Sequence, residues 1–213
     1  MGKIGHGYGS EWHMLRYLGY HRNYLTDEVL KLTGGRDISW LDLNFSRTHE
    51  PLNNDRELIG IEFINNQEVK NLWRNYWPRH GNAQNWDAVG QIHFKDRVEW
   101  LLVEAKGHLA EVTSSCGAIN PKSVSLIESA LSRTMETLGV RGKPVESWLK
   151  PYYQYANRLA MLNFLHSECK PSIPAQLLFI YFYGDNREDS AESPQSSIEW
   201  QPIIEQMESW LGL

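Results

Sequence analysis

Two apolar runs separated by only three residues constrain the fold of this chain more than any other feature. Residues 86–94 and 98–108 are rich in Val, Ile, Leu and Trp, and Lys95-Asp96-Arg97 joins them. So short a connection between two β-type runs predicts an antiparallel hairpin. Because pairing in a hairpin fixes which residues face each other, the length of the loop decides which side chains meet.

Patterns on either side of the hairpin predict the rest of the fold. The run 176–183, QLLFIYFY, is continuously apolar, which is typical of a strand buried on both faces of a helix-covered sheet. Further strands are predicted over 38–45 and 58–64, and helices over 10–25, 27–33, 69–77, 121–138, 152–166 and from about 202 onward. Helices interleaved with strands predict an α/β or α+β fold with a mixed sheet.

Length and composition set the broad class of the protein. The chain has 213 residues, of which 41% are hydrophobic, so we expect a single domain over 1–213. No run reaches the roughly 18 apolar residues of a membrane-spanning helix, and the first residues lack an apolar signal core. The two cysteines, Cys116 and Cys169, lack a metal-like spacing, which favours reduced thiols. We therefore expect a cytoplasmic protein with no membrane partner.

Negative charge is concentrated at the end of the chain. The net charge is −5, yet residues 185–213 hold seven acids and a single base, so the remaining 184 residues carry a net charge of +1. A near-neutral body neither demands nor forbids a phosphate-bearing partner. We expect the acidic stretch to end in a helix.

The hairpin can bring chemically useful side chains onto one patch. In a strand, successive side chains point to opposite faces, so Glu104 and Lys106 project side by side. A two-residue loop at Lys95-Asp96, or a four-residue loop, places Asp87 opposite Glu104. A two-residue loop at 96–97 pairs Asp87 with Lys106 instead, and a three-residue loop turns Asp87 to the other face. Loops of even length therefore cluster two carboxylates and an ammonium group.

Two neighbouring carboxylates repel each other unless a cation lies between them. A hard divalent ion such as Mg²⁺, held by carboxylates, carbonyls and waters, supplies that charge. Such an ion can bind a phosphate oxygen and acidify an attacking water, which the ammonium group of Lys106 can steer. A solvated cross-strand salt bridge at the end of a sheet explains the same residues equally well.

The spacing Glu-x-Lys carries little information by itself. It occurs three times, at residues 68–70, 104–106 and 168–170. The first lies in a predicted helix, where side chains two positions apart point to different faces, and the third lies at a predicted helix end. Only Glu104 and Lys106 follow an apolar strand, with Asp87 opening the neighbouring strand.

In this strand–turn–strand setting, Asp87 followed by Glu104-Ala105-Lys106 resembles the PD-(D/E)xK nuclease superfamily. The order of elements is also similar to that family: an early helix with a glutamate, the hairpin, a later helix and a buried strand. Trp86 stands where the family name has proline, a common departure, and an inserted segment with its own helix follows the hairpin. The resemblance implies a restriction-endonuclease-like fold, in which helices flank a mixed central sheet on both faces.

The resemblance implies roles for the motif residues. Asp87 and Glu104 would bind Mg²⁺ or Mn²⁺ together with the backbone carbonyl of Ala105. Lys106 would be the catalytic lysine. The partner implied is nucleic acid, DNA in particular, and the enzyme could act as a homodimer.

The resemblance also implies candidates outside the hairpin. Glu11 matches a metal-binding glutamate on the first helix of many members, although a charge that stabilises the helix N-terminus explains it as well. Glu62 and Glu68 are further candidates for that role. On the later helix, Gln154 and Arg158 lie four apart and share a face that would turn toward the site, with an ordinary solvated face as the alternative.

Metal-dependent hydrolysis of phosphodiester bonds is the function implied. A catalytically silent module that binds nucleic acid or protein is the alternative, because one fold can carry unrelated functions. The joint presence of Asp87, Glu104 and Lys106 favours the enzyme.

Overall fold

A mixed four-stranded sheet forms the centre of the molecule. The computed structural model describes residues 6–43, 56–78, 84–189 and 191–213. With strands numbered along the chain, the order across this sheet is β1 (Asp37–Trp40), β4 (Ala88–His93), β5 (Val98–Lys106) and β6 (Ala175–Tyr181). β4 runs antiparallel to both β1 and β5, whereas β5 and β6 are parallel. The prediction of a mixed sheet in an α/β or α+β fold is confirmed.

The central hairpin closes through the shortest of the predicted loops. Phe94 N–H donates to the carbonyl of Arg97 at 2.9 Å, which leaves a two-residue turn at Lys95-Asp96. Ala88 accordingly lies opposite Val103 in the β4–β5 ladder. One step beyond the ladder, the same register brings residue 87 opposite residue 104.

A short ladder adjoins the hairpin. It consists of β2 (Leu58–Ile59) and β3 (Asn85–Trp86), which pair antiparallel with Leu58 opposite Trp86. The predicted strand over 58–64 is wrong beyond Ile59, because the chain turns at Gly60, whose φ of 53° lies in the left-handed region. This ladder leads directly into the bend at residue 87.

Helices cover both faces of the central sheet. On one face, Leu101 and Val103 pack in a core with residues of the first two helices, and on the other face Leu102 packs in a larger core that includes Met161. The helices are α1 (Ser10–Gly19), α2 (Arg22–Thr33), α3 (Gln67–Tyr76), α4 (Pro121–Leu138), α5 (Glu146–Leu149), α6 (Tyr153–Asn163) and α7 (Ser197–Leu211). Within the described ranges, no helix is both long and apolar enough to cross a membrane.

Local chemistry fixes α4 where the sequence predicted it. The Asn120 side chain accepts a hydrogen bond from Lys122 N–H at 2.9 Å, Pro121 occupies the first turn, and Gly139 ends the helix with φ of 73°. The predicted single helix over 10–25 is wrong, because α1 ends at Gly19 and α2 begins at Arg22. Glycine is a poor helix residue, and the predicted boundary ignored it.

Two predictions near the end of the chain need correction. The last strand is β6, and most of its residues are half-buried rather than buried on both faces, because in the described sheet it is an edge strand paired only with β5. The last helix, α7, begins at Ser197 and contains Pro202 within it. Its start is marked by Glu199, whose carboxylate accepts hydrogen bonds from Ser196 Oγ at 3.2 Å and Gln195 N–H at 2.9 Å.

The predicted strand over 38–45 ends at Trp40, and residues 44 and 45 lie outside the described residues.

Candidate active site

The end of β5 and the bend before β4 meet on the face of the sheet that α6 covers. Asp87 lies in that bend, where its N–H donates to the Val103 carbonyl at 3.1 Å. Its Oδ2 accepts a hydrogen bond from Ala105 N–H at 2.7 Å. The two bonds tie Asp87 to the edge of β5 and hold its carboxylate beside Glu104, as the two-residue loop predicts.

Glu104 has a cationic partner at each of its two carboxylate oxygens. Its side chain is 3% exposed, and Lys106 Nζ donates to Oε1. Arg158 Nε donates to Oε2 at 2.8 Å, and Arg158 Nη2 lies 2.7 Å from the same oxygen in an ion pair. Lys106 Nζ also donates to Gln154 Oε1 at 2.8 Å. The two candidates on α6 therefore both reach the motif residues, and Arg158, which is 3% exposed, does not lie on a solvated face.

Arg158 also joins parts of the site that are distant in sequence. Beyond Glu104, it donates to the Asn85 carbonyl at 2.5 Å and to Asn157 Oδ1 at 2.8 Å. Its guanidinium carbon lies 4.8 Å from the centre of the Trp86 ring, a cation–π contact. A planar group with five donors suits this role, because it can bind β3, β5 and its own helix at once.

The carboxylates of Asp87 and Glu104 differ in their electrostatic surroundings. Burial, followed by the negative charge of Glu104, raises the pKa of Asp87 from 3.8 to about 7, and the hydrogen bond from Ala105 N–H offsets only part of that. Glu104 already has two cations within bonding distance. The expectation that a metal must offset both carboxylates is thus too simple, since Lys106 and Arg158 neutralise Glu104. Of these two carboxylates, Asp87 is the one without a cationic partner among the described residues.

Sequence reasoning missed a third carboxylate. The β2–β3 register, with Leu58 opposite Trp86, places Glu57 opposite Asp87 one step further on. Burial raises the pKa of Glu57, and the charge of Glu104 adds to this, while a hydrogen bond with Asn85 lowers it. Glu57 comes just before β2 and Asp87 lies between β3 and β4, so these two and Glu104 of β5 form a row at neighbouring register positions, and all three line one pocket. The sequence signal for Glu57 was weak, because the pairing of β2 with β3 depends on a long connection rather than on a local pattern.

The other acidic candidates lie outside this row. Glu11 is exposed at the start of α1, and with Asp87 and Glu57 it lines an adjoining pocket of about 340 Å³. Glu62 forms an ion pair with Arg56 at 2.9 Å, and Glu68 lies in the first turn of α3. Neither Glu62 nor Glu68 lines the described pockets around the motif residues.

A glycine brings α1 to the end of β5. A Cβ atom at Gly107 would lie 2.8 Å from the backbone nitrogen of Ser10 and 3.1 Å from the carbonyl carbon of Gly9, so any larger residue would push α1 away. Glu111 links the two segments, since it accepts hydrogen bonds from Ser10 Oγ at 3.0 Å and Gly107 N–H at 2.6 Å. The start of α1 thereby forms one border of the site.

The motif residues open into a cleft of about 1000 Å³. The end of β5 contributes Glu104 and Lys106, and the first turns of α6 contribute Gln154 and Arg158. Residues 113–115 and 117–120, which adjoin the start of α6, and the start of α4 also line the cleft. Trp77 and Pro78, at the end of α3, form another side. The cleft is large enough for a ligand of several connected units.

The donor atoms at the motif fit a hard divalent cation. Among the described residues, no three His, Cys, Asp or Glu side chains are grouped so that they could hold a metal ion, so a metal here depends on two carboxylates and a carbonyl. Because Ala105 N–H points to the Asp87 side of β5, its carbonyl points to the same side. All of these donors are oxygens, the ligands that Mg²⁺ and Mn²⁺ prefer, and a cation would relieve the raised pKa of Asp87.

Comparison of the chain with protein-family models, curated proteins and solved structures gave no match. The chemistry of the site therefore has to be inferred from its own residues.

Proposed function

We propose that this chain is a divalent-metal-dependent nuclease with a restriction-endonuclease-like fold, and that Asp87, Glu104 and Lys106 form its active site. The observation that carries the proposal is the register of the hairpin. It brings an acidic pair and a lysine, all drawn from the superfamily pattern, to the floor of one open cleft. The mixed sheet with helices on both faces supports the fold assignment.

The residues around the motif suit phosphodiester hydrolysis. A divalent ion bound by Asp87, Glu104 and the Ala105 carbonyl would polarise a phosphate oxygen and acidify a water. Asp87 Oδ2 is held by Ala105 N–H, which leaves Oδ1 as a ligand atom. Lys106 uses two of its three N–H donors, on Glu104 and Gln154, so the third is available to a phosphate oxygen or an attacking water.

Nucleic acid, with DNA foremost, as substrate and a cytoplasmic location belong to the same proposal. The free thiols of Cys116 and Cys169 are consistent with that location. The test is a cleavage screen on DNA and RNA, single- and double-stranded, with Mg²⁺, Mn²⁺ or EDTA. We expect products with Mg²⁺ or Mn²⁺ and none with EDTA, and a native protein that cleaves nothing with either metal would contradict the proposal.

A second candidate function is a silent module that binds nucleic acid without cutting it. It is favoured by the ion pairs at Glu104, since a carboxylate bound by both Lys106 and Arg158 could serve only to join β5 to α6. Binding of nucleic acid without cleavage in the same screen would favour this second function.

A further inference from the structure

We propose that the nucleic-acid strand in the cleft is unpaired, so that the substrate is a single-stranded polynucleotide or a single-stranded end. Its phosphates would contact a row of hydroxyl groups, and at least one base would contact an apolar wall. The inference rests on the proposed function and specifies the substrate class of the same site.

The segment 113–117 forms a fixed edge along the cleft. Ser114 N–H donates to the Pro151 carbonyl at 2.5 Å, and Cys116 N–H donates to the Leu149 carbonyl at 2.8 Å. These backbone bonds hold the segment extended, so alternate side chains point outward. Thr113 and Ser115 are the exposed ones.

The hydroxyl row consists of Thr113, Ser115 and Ser123, all of which line the cleft. Within the part of the chain that the structure describes, these three hydroxyls have no hydrogen-bond partner. Gln154 connects the segment that carries Thr113 and Ser115 to Lys106, because its backbone N–H donates to Ser114 Oγ at 2.7 Å and its Oε1 accepts from Lys106 Nζ at 2.8 Å. Neutral donors thus stand at a fixed position relative to Lys106.

The cationic side chains of the cleft are few, and this favours a single strand over a duplex as ligand. Among the described residues that line the cleft, the cationic side chains are Lys106 and Arg158, and both are bound to Glu104. Duplex DNA carries a dense double row of phosphates, and its binding depends on several lysine or arginine contacts. Hydroxyl groups can donate hydrogen bonds to the phosphates of one strand, but they do not neutralise the higher charge density of a duplex.

The apolar wall offers Pro78, Ala118 and Ile119 to a ligand, and the buried side chains of Trp77 and Ile127 also line it. Ile119 is 95% exposed, an unusual position for so apolar a residue. In a duplex the flat faces of the bases are stacked on one another, whereas unpaired bases offer those faces to apolar and aromatic side chains. An apolar wall in the same cleft as the motif therefore fits an unpaired base.

The test compares two exposed isoleucines. Binding is measured with Ca²⁺ in place of Mg²⁺, using a fluorescent oligonucleotide of about 12 nucleotides and its blunt duplex. We expect the native protein to bind the single strand at least about tenfold more tightly than the duplex. Ile119→Trp offers a larger stacking surface and should tighten single-strand binding about fivefold or more. The matched control is Ile198→Trp, at an exposed position on α7 outside the cleft lining, which should change nothing.

A second pair of variants tests the hydroxyl row. Ser115→Ala should weaken single-strand binding about threefold to fivefold through the loss of one hydrogen bond. Ser125→Ala, an exposed serine on α4 outside the cleft lining, is its control. Because both serines are exposed, neither change threatens folding.

The outcomes separate this inference from the proposed function. Duplex binding as tight as single-strand binding overturns the inference, and the nuclease proposal survives if Mg²⁺ still supports cleavage. Equal effects of the tryptophan at 119 and 198 also overturn the inference. Failure to bind or cut any nucleic acid overturns both proposals.

Discussion

The same Glu-x-Lys spacing occurs on α3 and on β5, and the two copies behave differently. On α3, Glu68 is exposed in the first turn, and Lys70 points to a different face. On β5, Glu104 and Lys106 are buried on one face and form an ion pair that Arg158 completes. The comparison teaches that a spacing gains meaning from the element that carries it and from what packs over it.

The largest expected difference between the two copies is in stability. Glu104→Ala leaves the guanidinium of Arg158 buried without its carboxylate, and breaking a buried ion pair in this way costs about 3–5 kcal/mol. That is a large part of the free energy of unfolding of an ordinary domain. Urea unfolding of the native and variant proteins measures it. A loss below about 1 kcal/mol would mean that the pair at β5 is as dispensable as an exposed one.

Next in size is the effect on cleavage. Lys106→Ala should reduce the cleavage rate with Mg²⁺ by about 100-fold or more, because a positioned acid–base or electrostatic group typically contributes that much. Binding of Ca²⁺ should survive, since the carboxylates remain and a nearby positive charge has gone. Single-turnover kinetics and calcium titration separate the two effects. If the variant cleaves at the native rate, Lys106 is a structural residue and the silent module becomes the better reading.

Divalent metal should stabilise the native protein through Asp87. At a concentration 100 times its dissociation constant, an ion that binds only the folded state adds about 2.7 kcal/mol. For a chain of this size the melting temperature should rise by roughly 5–11 °C. Asp87→Ala should abolish the rise, and Glu68→Ala should keep it. An equal rise in native protein and Asp87→Ala would locate the metal elsewhere.

The metal-free protein should lose stability as the pH rises from about 4 to 7. The pKa of Asp87 is raised from 3.8 to about 7 in the folded state, so over that range the folded state binds more protons than the unfolded state. The free energy of unfolding therefore falls with rising pH, by on the order of 2 kcal/mol once solvent screening is considered. Glu57 acts in the same direction. Asp87→Asn should flatten the dependence, and an unchanged slope in that variant would show that Asp87 is not the titrating group.

Local sequence patterns predicted the motif residues of the site, whereas the position of Glu57 beside them depends on long-range packing. The short connection between the two apolar runs and strand alternation predicted that Asp87, Glu104 and Lys106 meet if the loop has an even number of residues, and the two-residue turn at Lys95-Asp96 meets that condition. The position of Glu57 could not be predicted, because β2 pairs with β3 across a long connection.

Arg158 was predicted to face the site only through the family resemblance. Helix periodicity placed it four residues from Gln154, but it could not show that β3 and β5 would both contact its guanidinium. The same limit applies to β6, whose apolar run predicts a strand but not that it lies at an edge in the described sheet.

Substitutions in the Glu-x-Lys copy on α3 should have the smallest effects, and they serve as the control for substitutions in the copy on β5. Glu68→Ala removes an exposed charge and Lys70→Ala a partly exposed one, so each should change the free energy of unfolding by less than about 0.5 kcal/mol. The small loss expected at Glu68 comes from the favourable position of a carboxylate in the first turn of a helix. Cleavage with Mg²⁺ should stay within about twofold of the native rate, since neither residue lines the cleft. Urea unfolding and the same single-turnover assay measure both quantities. If the α3 variants lose cleavage as the β5 variants do, the activity does not depend on the β5 setting, and the assignment of Glu104 and Lys106 fails.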